Sequence, residues 1–194
     1  MKIIIKSIKV LCLCVAVILL LIVTFYGYKD IPLEKLKIKY AQKPSSFISV
    51  NEMNVHYRDE GNKTHPIPIV LIHGTGSSLH TFNEWTNELK SKYRVIRMDL
   101  PGYGLTGPFL HRNYSIDNYV DFVYHFLKAL NIKKCIIAGN SLGGNIAWSF
   151  TVKHSKLVDK LILIDASGYP SKKTNTPLAF KIAQTPFIKN IFTY

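Results

Sequence analysis

The apolar positions of this chain fall in two patterns. The first is a single uninterrupted run: residues 10–28, VLCLCVAVILLLIVTFYGY, carry no charge. At about 1.5 Å rise per residue, a helix of that length nearly matches a bilayer core of roughly 30 Å. The second is a succession of short runs. Phe47–Val50 and Met53–Tyr57 flank Asn51-Glu52 and read as a hairpin. Ile69–His73 is continuously apolar and ends at Gly74, as expected of a buried strand. A helix is predicted over Leu79–Leu89. Tyr93–Asp99 alternates and stops at a Pro-Gly turn. Ser115 is placed to cap a helix whose apolar residues Ile116, Tyr119, Val120, Val123, Phe126, Leu127 and Leu130 keep the helical period. A strand over Lys134–Ala138, a helix over Gly143–His154 and a strand over Leu161–Ile164 follow. The alternation predicts an α/β fold, a mostly parallel sheet with flanking helices. Ligands of such sheets bind beyond the carboxyl ends of the strands.

The flanks of the long apolar run refine its reading. Lys2, Lys6 and Lys9 precede it, and Phe25, Tyr26 and Tyr28 close it, where aromatic rings favour the headgroup region. It runs into Phe-Tyr-Gly-Tyr-Lys-Asp and offers no small-x-small cleavage site, so a retained transmembrane signal anchor is expected. Lysines on both sides leave the positive-inside rule little asymmetry. The basic lead of a first apolar segment points the N-terminus to the cytoplasm and the rest of the chain outside it. The net charge is +13, and residues 1–45 carry eight lysines against two acids. That distribution suits anionic lipid headgroups as well as a merely solvated basic surface. Nucleic acid is not an expected partner, because the chain has no helix-turn-helix, zinc-spacing or RNA-recognition pattern. Cys12 and Cys14 lie in the apolar run and Cys135 in a strand-like run. They read as small hydrophobes, without implied pairing or metal binding.

Three motifs carry chemistry. Gly139-Asn140-Ser141-Leu142-Gly143-Gly144 joins a predicted strand to a predicted helix. This is the G-x-S-x-G nucleophile elbow in its required context, a tight turn that exposes a serine hydroxyl at a helix N-terminus. His73-Gly74-Thr75-Gly76-Ser77-Ser78 ends the earlier strand. Acyl transfer builds negative charge on an oxygen, and backbone N–H groups aimed at it lower the barrier. The expected donors are the amides of Leu142 and Thr75. His73 reads as a structural residue bonded within its loop. Asp99-Leu100-Pro101-Gly102-Tyr103-Gly104 reads as a fixed turn bordering the pocket.

These motifs in this order resemble the α/β-hydrolase superfamily from about Phe47 to the C-terminus. His56-Tyr57-Arg58-Asp59-Glu60-Gly61 is similar to that family's second strand, and Asn140 before the serine resembles the meta-cleavage-product hydrolases, with simple esterases sharing the pattern. The elbow serine is unlike the aspartate of the dehalogenase and epoxide-hydrolase branches. The resemblance divides the chain into a basic lead and anchor (1–28), a polar linker (29–46), the first part of a hydrolase core (47–168) and the start of a lid segment (169–194). It implies nucleophile, acid and histidine in that chain order, the last two after the seventh and eighth strands. Here the sheet is truncated after about the sixth strand, and the acid and histidine are expected beyond this chain. Asp165, at the end of the sixth strand, is where a minority of lipases place their acid. The implied activity is hydrolysis of an ester or carbon–carbon bond in a small molecule, with no metal or organic cofactor. Taken alone, 194 residues without a base imply an inactive, hydrolase-like membrane protein.

Overall fold

A computed structural model describes residues 2–27, 30–169, 178–183 and 185. The chain forms two units, Met1–Gln42 and Lys43–Tyr194. In the first, α1 spans Lys2–Tyr26 and α2 spans Leu33–Tyr40. Within α1, the 22 residues Ile4–Phe25 are long and apolar enough to cross a membrane. α2 occupies the stretch read as a linker. Its sequence LEKLKIKY sets Leu33, Leu36 and Tyr40 at helical spacing among charged residues, and none of its residues is buried.

In the second unit six strands form one sheet: β1 (Ser45–Val50), β2 (Met53–Gly61), β3 (Ile69–Ile72), β4 (Arg94–Met98), β5 (Cys135–Asn140) and β6 (Val158–Ile164). Their order is β1-β2-β4-β3-β5-β6. The β1–β2 hairpin is antiparallel, and β2 pairs antiparallel with β4, Tyr57 opposite Met98. The four strands β4, β3, β5 and β6 are parallel. The predicted helix after β3 begins as a 3-10 turn, Leu79–Phe82, that continues as α3, Asn83–Leu89. α4 covers Ile116–Ala129, and Ser115 caps it by accepting from the Asn118 N–H at 3.4 Å. α5 covers Leu142–Lys153. β6 starts three residues before its apolar run: Val158 pairs with Cys135 and packs against the core, Lys160 pairs with Ile136, and Asp159 sits at a register shift between them, bonded to Lys134. The expected lid segment lies largely outside the described residues; within it, α6 covers Leu178–Ala183.

Strand side chains alternate, so each strand feeds both faces. Val70, Ile72, Ile96, Met98 and Ile137 pack with Val120, Val123, Phe126, Ile146, Ala147 and Phe150 of α4 and α5. Ile69, Leu71, Val95 and Ala138 form a smaller cluster on the opposite face with Phe82 and Leu89. That second face also takes charge. Arg97 is 2% exposed and donates to Glu60 Oε2 at 2.7 Å and to the Leu79 carbonyl at 3.1 Å. On the first face, Arg94 binds Asp59 through two bonds of 3.0 and 2.9 Å. At the sheet's far edge, Ile162 and Leu163 of β6 are 41% and 36% exposed, as an uncovered apolar strand implies.

Candidate active site

Ser141 stands between β5 and α5 with φ +51° and ψ −113°, a conformation that costs an L-residue roughly 1–3 kcal/mol and persists only when its surroundings hold it. They do. Its N–H donates to the Ile164 carbonyl at 3.0 Å, and its carbonyl accepts from the N–H groups of Asn145 and Ser167, each at 3.1 Å. The Asn140 side-chain amide donates to the same Ile164 carbonyl at 3.3 Å. The flanking glycines are required by close approach. A Cβ on Gly139 would lie 2.1 Å from the Gly143 carbonyl oxygen, and one on Gly143 would lie 2.1 Å from that of Ile72. The elbow is thus clamped between the ends of β3 and β6.

The loop after β3 passes beside the serine, for a Cβ on Gly74 would lie 3.1 Å from Ser141 Cβ. Thr75 follows, exposed. Among the described residues, neither the Thr75 N–H nor the Leu142 N–H meets a protein acceptor. Leu142 opens α5, so its amide also carries the positive end of the helix dipole. Ser141 Oγ has no hydrogen-bond partner among the described residues.

His73 cannot act as base. Its Nε2 accepts from the Leu100 N–H at 3.0 Å, so Nδ1 carries the proton and donates to the Gly74 carbonyl at 2.8 Å. Burial pushes its pKa down, which keeps the ring neutral, although the Gly74 carbonyl and Asp99 act the other way. Asp165 follows β6 with φ +44° and has no histidine partner among the described residues. Next to the elbow, Gly102, Tyr103, Tyr114, Tyr119 and Leu142 line an open pocket of about 320 Å³. The Tyr103 ring stands edge-on to His73, centroids 5.5 Å apart. Burial raises the Tyr119 phenol, and neighbouring Tyr103 and Tyr114 add to it.

The Asp99 turn holds a network that spacing along the chain does not show. Asp99 is 1% exposed and accepts from Leu79 N–H at 2.7 Å, from Leu105 N–H at 2.8 Å and from His56 Nδ1 at 2.8 Å. Burial alone would raise its pKa. The bonds from His56, Leu79 and Leu105 outweigh burial and hold the carboxyl below the usual range. His56 and Asp99 are 43 positions apart, and only the β2–β4 register brings them together.

Known proteins share this part of the chain. A 2-hydroxy-6-oxo-6-(2'-aminophenyl)hexa-2,4-dienoic acid hydrolase of Metapseudomonas resinovorans is 33% identical over 140 residues, 70% of this chain and 46% of that protein. Epoxide hydrolase 4 of Homo sapiens is 34% identical over 114 residues, 58% of this chain and 31% of that protein. The crystal structure of a membrane phospholipase A, described as a bacterial virulence factor, superposes with a TM-score of 0.65 at 26% identity, covering 89% of this chain and 55% of that one. The chain spans about a third to a half of the length of these curated relatives. The family model described as alpha/beta hydrolase fold matches residues 67–186, a stretch that contains the elbow, the loop after β3 and the Asp99 turn. On that match and the six-stranded sheet that positions Ser141, the chain belongs to the α/β hydrolase fold family.

Proposed function

We propose that the protein is a membrane-anchored serine hydrolase of this family, in which Ser141 attacks an ester or related carbonyl carbon of a small-molecule substrate. The observation that carries the reading is the elbow itself. A serine is held at φ +51° beside two backbone N–H groups, those of Leu142 and Thr75, that meet no protein acceptor among the described residues. As Oγ bonds to the carbonyl carbon, the carbonyl oxygen becomes an oxyanion and takes hydrogen bonds from these two amides. Collapse of this intermediate expels the leaving group and forms an acyl-serine, which water then hydrolyses. The acid and the histidine base are supplied from outside these 194 residues; within them, Asp165 is the alternative acid. A carbon–carbon substrate is favoured by the likeness to the Metapseudomonas hydrolase, an ester by the likeness to the phospholipase. An elbow serine sets the chain apart from aspartate-using epoxide hydrolases, despite its likeness to one of them.

α1 anchors the protein in the membrane, with the catalytic unit on the extracytoplasmic side. The length of Ile4–Phe25 and Lys2, Lys6 and Lys9 ahead of its uncharged part support this placement. A second reading is a hydrolase-like membrane protein without turnover, and the lack of a partner for Ser141 Oγ among the described residues favours it.

Two measurements decide between the readings. The coding frame is read past Tyr194, and the encoded protein is treated with a fluorophosphonate whose adducts are mapped by mass spectrometry. A frame that continues with an acid and then a histidine, and an adduct on Ser141, are the expected results. A stop after Tyr194 with no adduct on Ser141 establishes the second reading.

A further inference from the structure

Ser45 Oγ lies 2.8 Å from His56 Nε2, and His56 Nδ1 lies 2.8 Å from Asp99 Oδ2. This is the spacing and order of a serine–histidine–aspartate relay, which is recognised by geometry and roles and not by sequence position. With the imidazole neutral, the form that can act as a base, the partners set the direction of each proton. The Asp99 carboxylate only accepts, so the Nδ1 of neutral His56 donates to it. Nε2 then presents a lone pair, and the hydrogen between it and Oγ belongs to Ser45. Arg58 Nε donates to the same Oγ at 2.9 Å and places a guanidinium beside any negative charge that forms there. The Leu79 and Leu105 N–H groups lock the aspartate. His56 and Asp99 are buried, while Ser45 on the edge strand β1 remains partly exposed. The base is sheltered and the nucleophile reaches solvent.

The relay cannot serve Ser141. β1 and β5 are four strands apart in the sheet order, roughly 19 Å at about 4.8 Å per strand. The two serines also have complementary equipment. Ser141 has backbone amides and no base among the described residues; Ser45 has a base and a guanidinium.

We propose that Ser45 is a second, independently activated nucleophile, a site for small acyl esters and for phosphonylating reagents, with His56 as its catalytic base and Asp99 as a positioning residue. With an ester, Oγ bonds to the carbonyl carbon as its proton moves to Nε2. The ester C–O bond then breaks, and the alkoxide leaves as an alcohol with that proton. Water repeats the sequence on the acyl-serine and releases the acid. With a fluorophosphonate the O–P bond forms, fluoride leaves, and the proton stays on His56 opposite Asp99.

The test uses the 194-residue chain in detergent micelles, in the Ser141→Ala background, treated with a fluorophosphonate and mapped by mass spectrometry. Ser46 is the internal reference, since it is exposed and stands next to Ser45. The Ser45 adduct is expected to form at least about 100-fold faster than any Ser46 adduct, the low end of what a positioned base contributes. It is expected to disappear in His56→Gln, and p-nitrophenyl acetate turnover is expected to be lost in Ser45→Ala. Thermal melts of the variants separate loss of the base from loss of the fold. Because the Ser45-to-Ser46 ratio is read in protein with intact His56, it holds whether or not the His56 variant folds. Equal labelling of Ser45 and Ser46, no adduct on Ser45, or labelling unchanged in His56→Gln overturns the proposal. None of these outcomes bears on Ser141, whose adduct is read separately.

Discussion

Replacing Asp99 with asparagine keeps shape and removes charge, so it isolates what the buried carboxylate contributes. In the native protein Oδ1 accepts from Leu79 N–H, and Oδ2 accepts from both His56 Nδ1 and Leu105 N–H. An asparagine has one acceptor oxygen. Its best placement keeps the oxygen at the Oδ2 position and turns the amide NH2 toward the Leu79 N–H, which strands one buried donor at a cost of about 1–3 kcal/mol. The two surviving bonds change from charge-assisted to neutral and weaken by about 1 kcal/mol each. Relief from burying a charge acts in the opposite direction. These losses sum to about 3–5 kcal/mol before that relief is subtracted; the depressed pKa of Asp99, where the hydrogen bonds outweigh burial, keeps the net effect destabilising and below that sum. At 1% exposure there is no solvent screening to discount.

The sum is a large share of a typical stability of about 5–15 kcal/mol. The assay is urea unfolding of the full chain in micelles, followed by the fluorescence of Trp85 and Trp148, with exposed Glu88→Gln as the control expected within about 0.5 kcal/mol. The pH dependence has a definite sign. Because the folded pKa is lowered, the unfolded state binds the proton first, and stability rises with pH through that window. The contribution is complete above the unfolded value of about 3.9 and is lost as pH falls through the folded value. The gap between wild type and Asp99→Asn therefore closes on acidification. A loss below about 1 kcal/mol at neutral pH, or a gap that does not change with pH, refutes the reasoning.

Two further predictions concern the elbow and the anchor. Gly143→Ala forces a methyl group to 2.1 Å from the Ile72 carbonyl oxygen and is expected to cost about 2 kcal/mol or more in the same unfolding assay, whereas Gly107→Ala, with no atom within 4 Å, changes it little. Lysine at Val17 in the middle of α1 adds about 2.5–3.5 kcal/mol to membrane insertion and is expected to release the protein from carbonate-washed membranes, which Thr64→Lys in an exposed turn does not do.

What could be read along the chain is what neighbouring residues impose on one another. Ser141 between Gly139 and Gly143 specifies a turn too tight for side chains, and the structure shows the backbone contacts that demand it. Ser115 ahead of a helical apolar stripe specifies a cap, and the cap is made. The runs at Ile69 and Cys135 are buried strands because only a sheet covered on both faces makes such runs favourable. α2 was not read along the chain because its signal is short: two turns, no side-chain cap and four charges among eight residues, none of them buried.

Tertiary structure decided what distant residues share. The polar half of Tyr93–Asp99 gives no sign that Arg97 is interior; its burial depends on Glu60, which β2 delivers by antiparallel pairing with β4. The same register sets His56 against Asp99, and the β1–β2 hairpin sets Ser45 against His56. A slip of one residue in either pairing would turn these side chains to opposite faces of the sheet, because strand side chains alternate with a period of two. The elbow was legible because its geometry is local, while the Ser45 relay exists only through strand registers that no local pattern records.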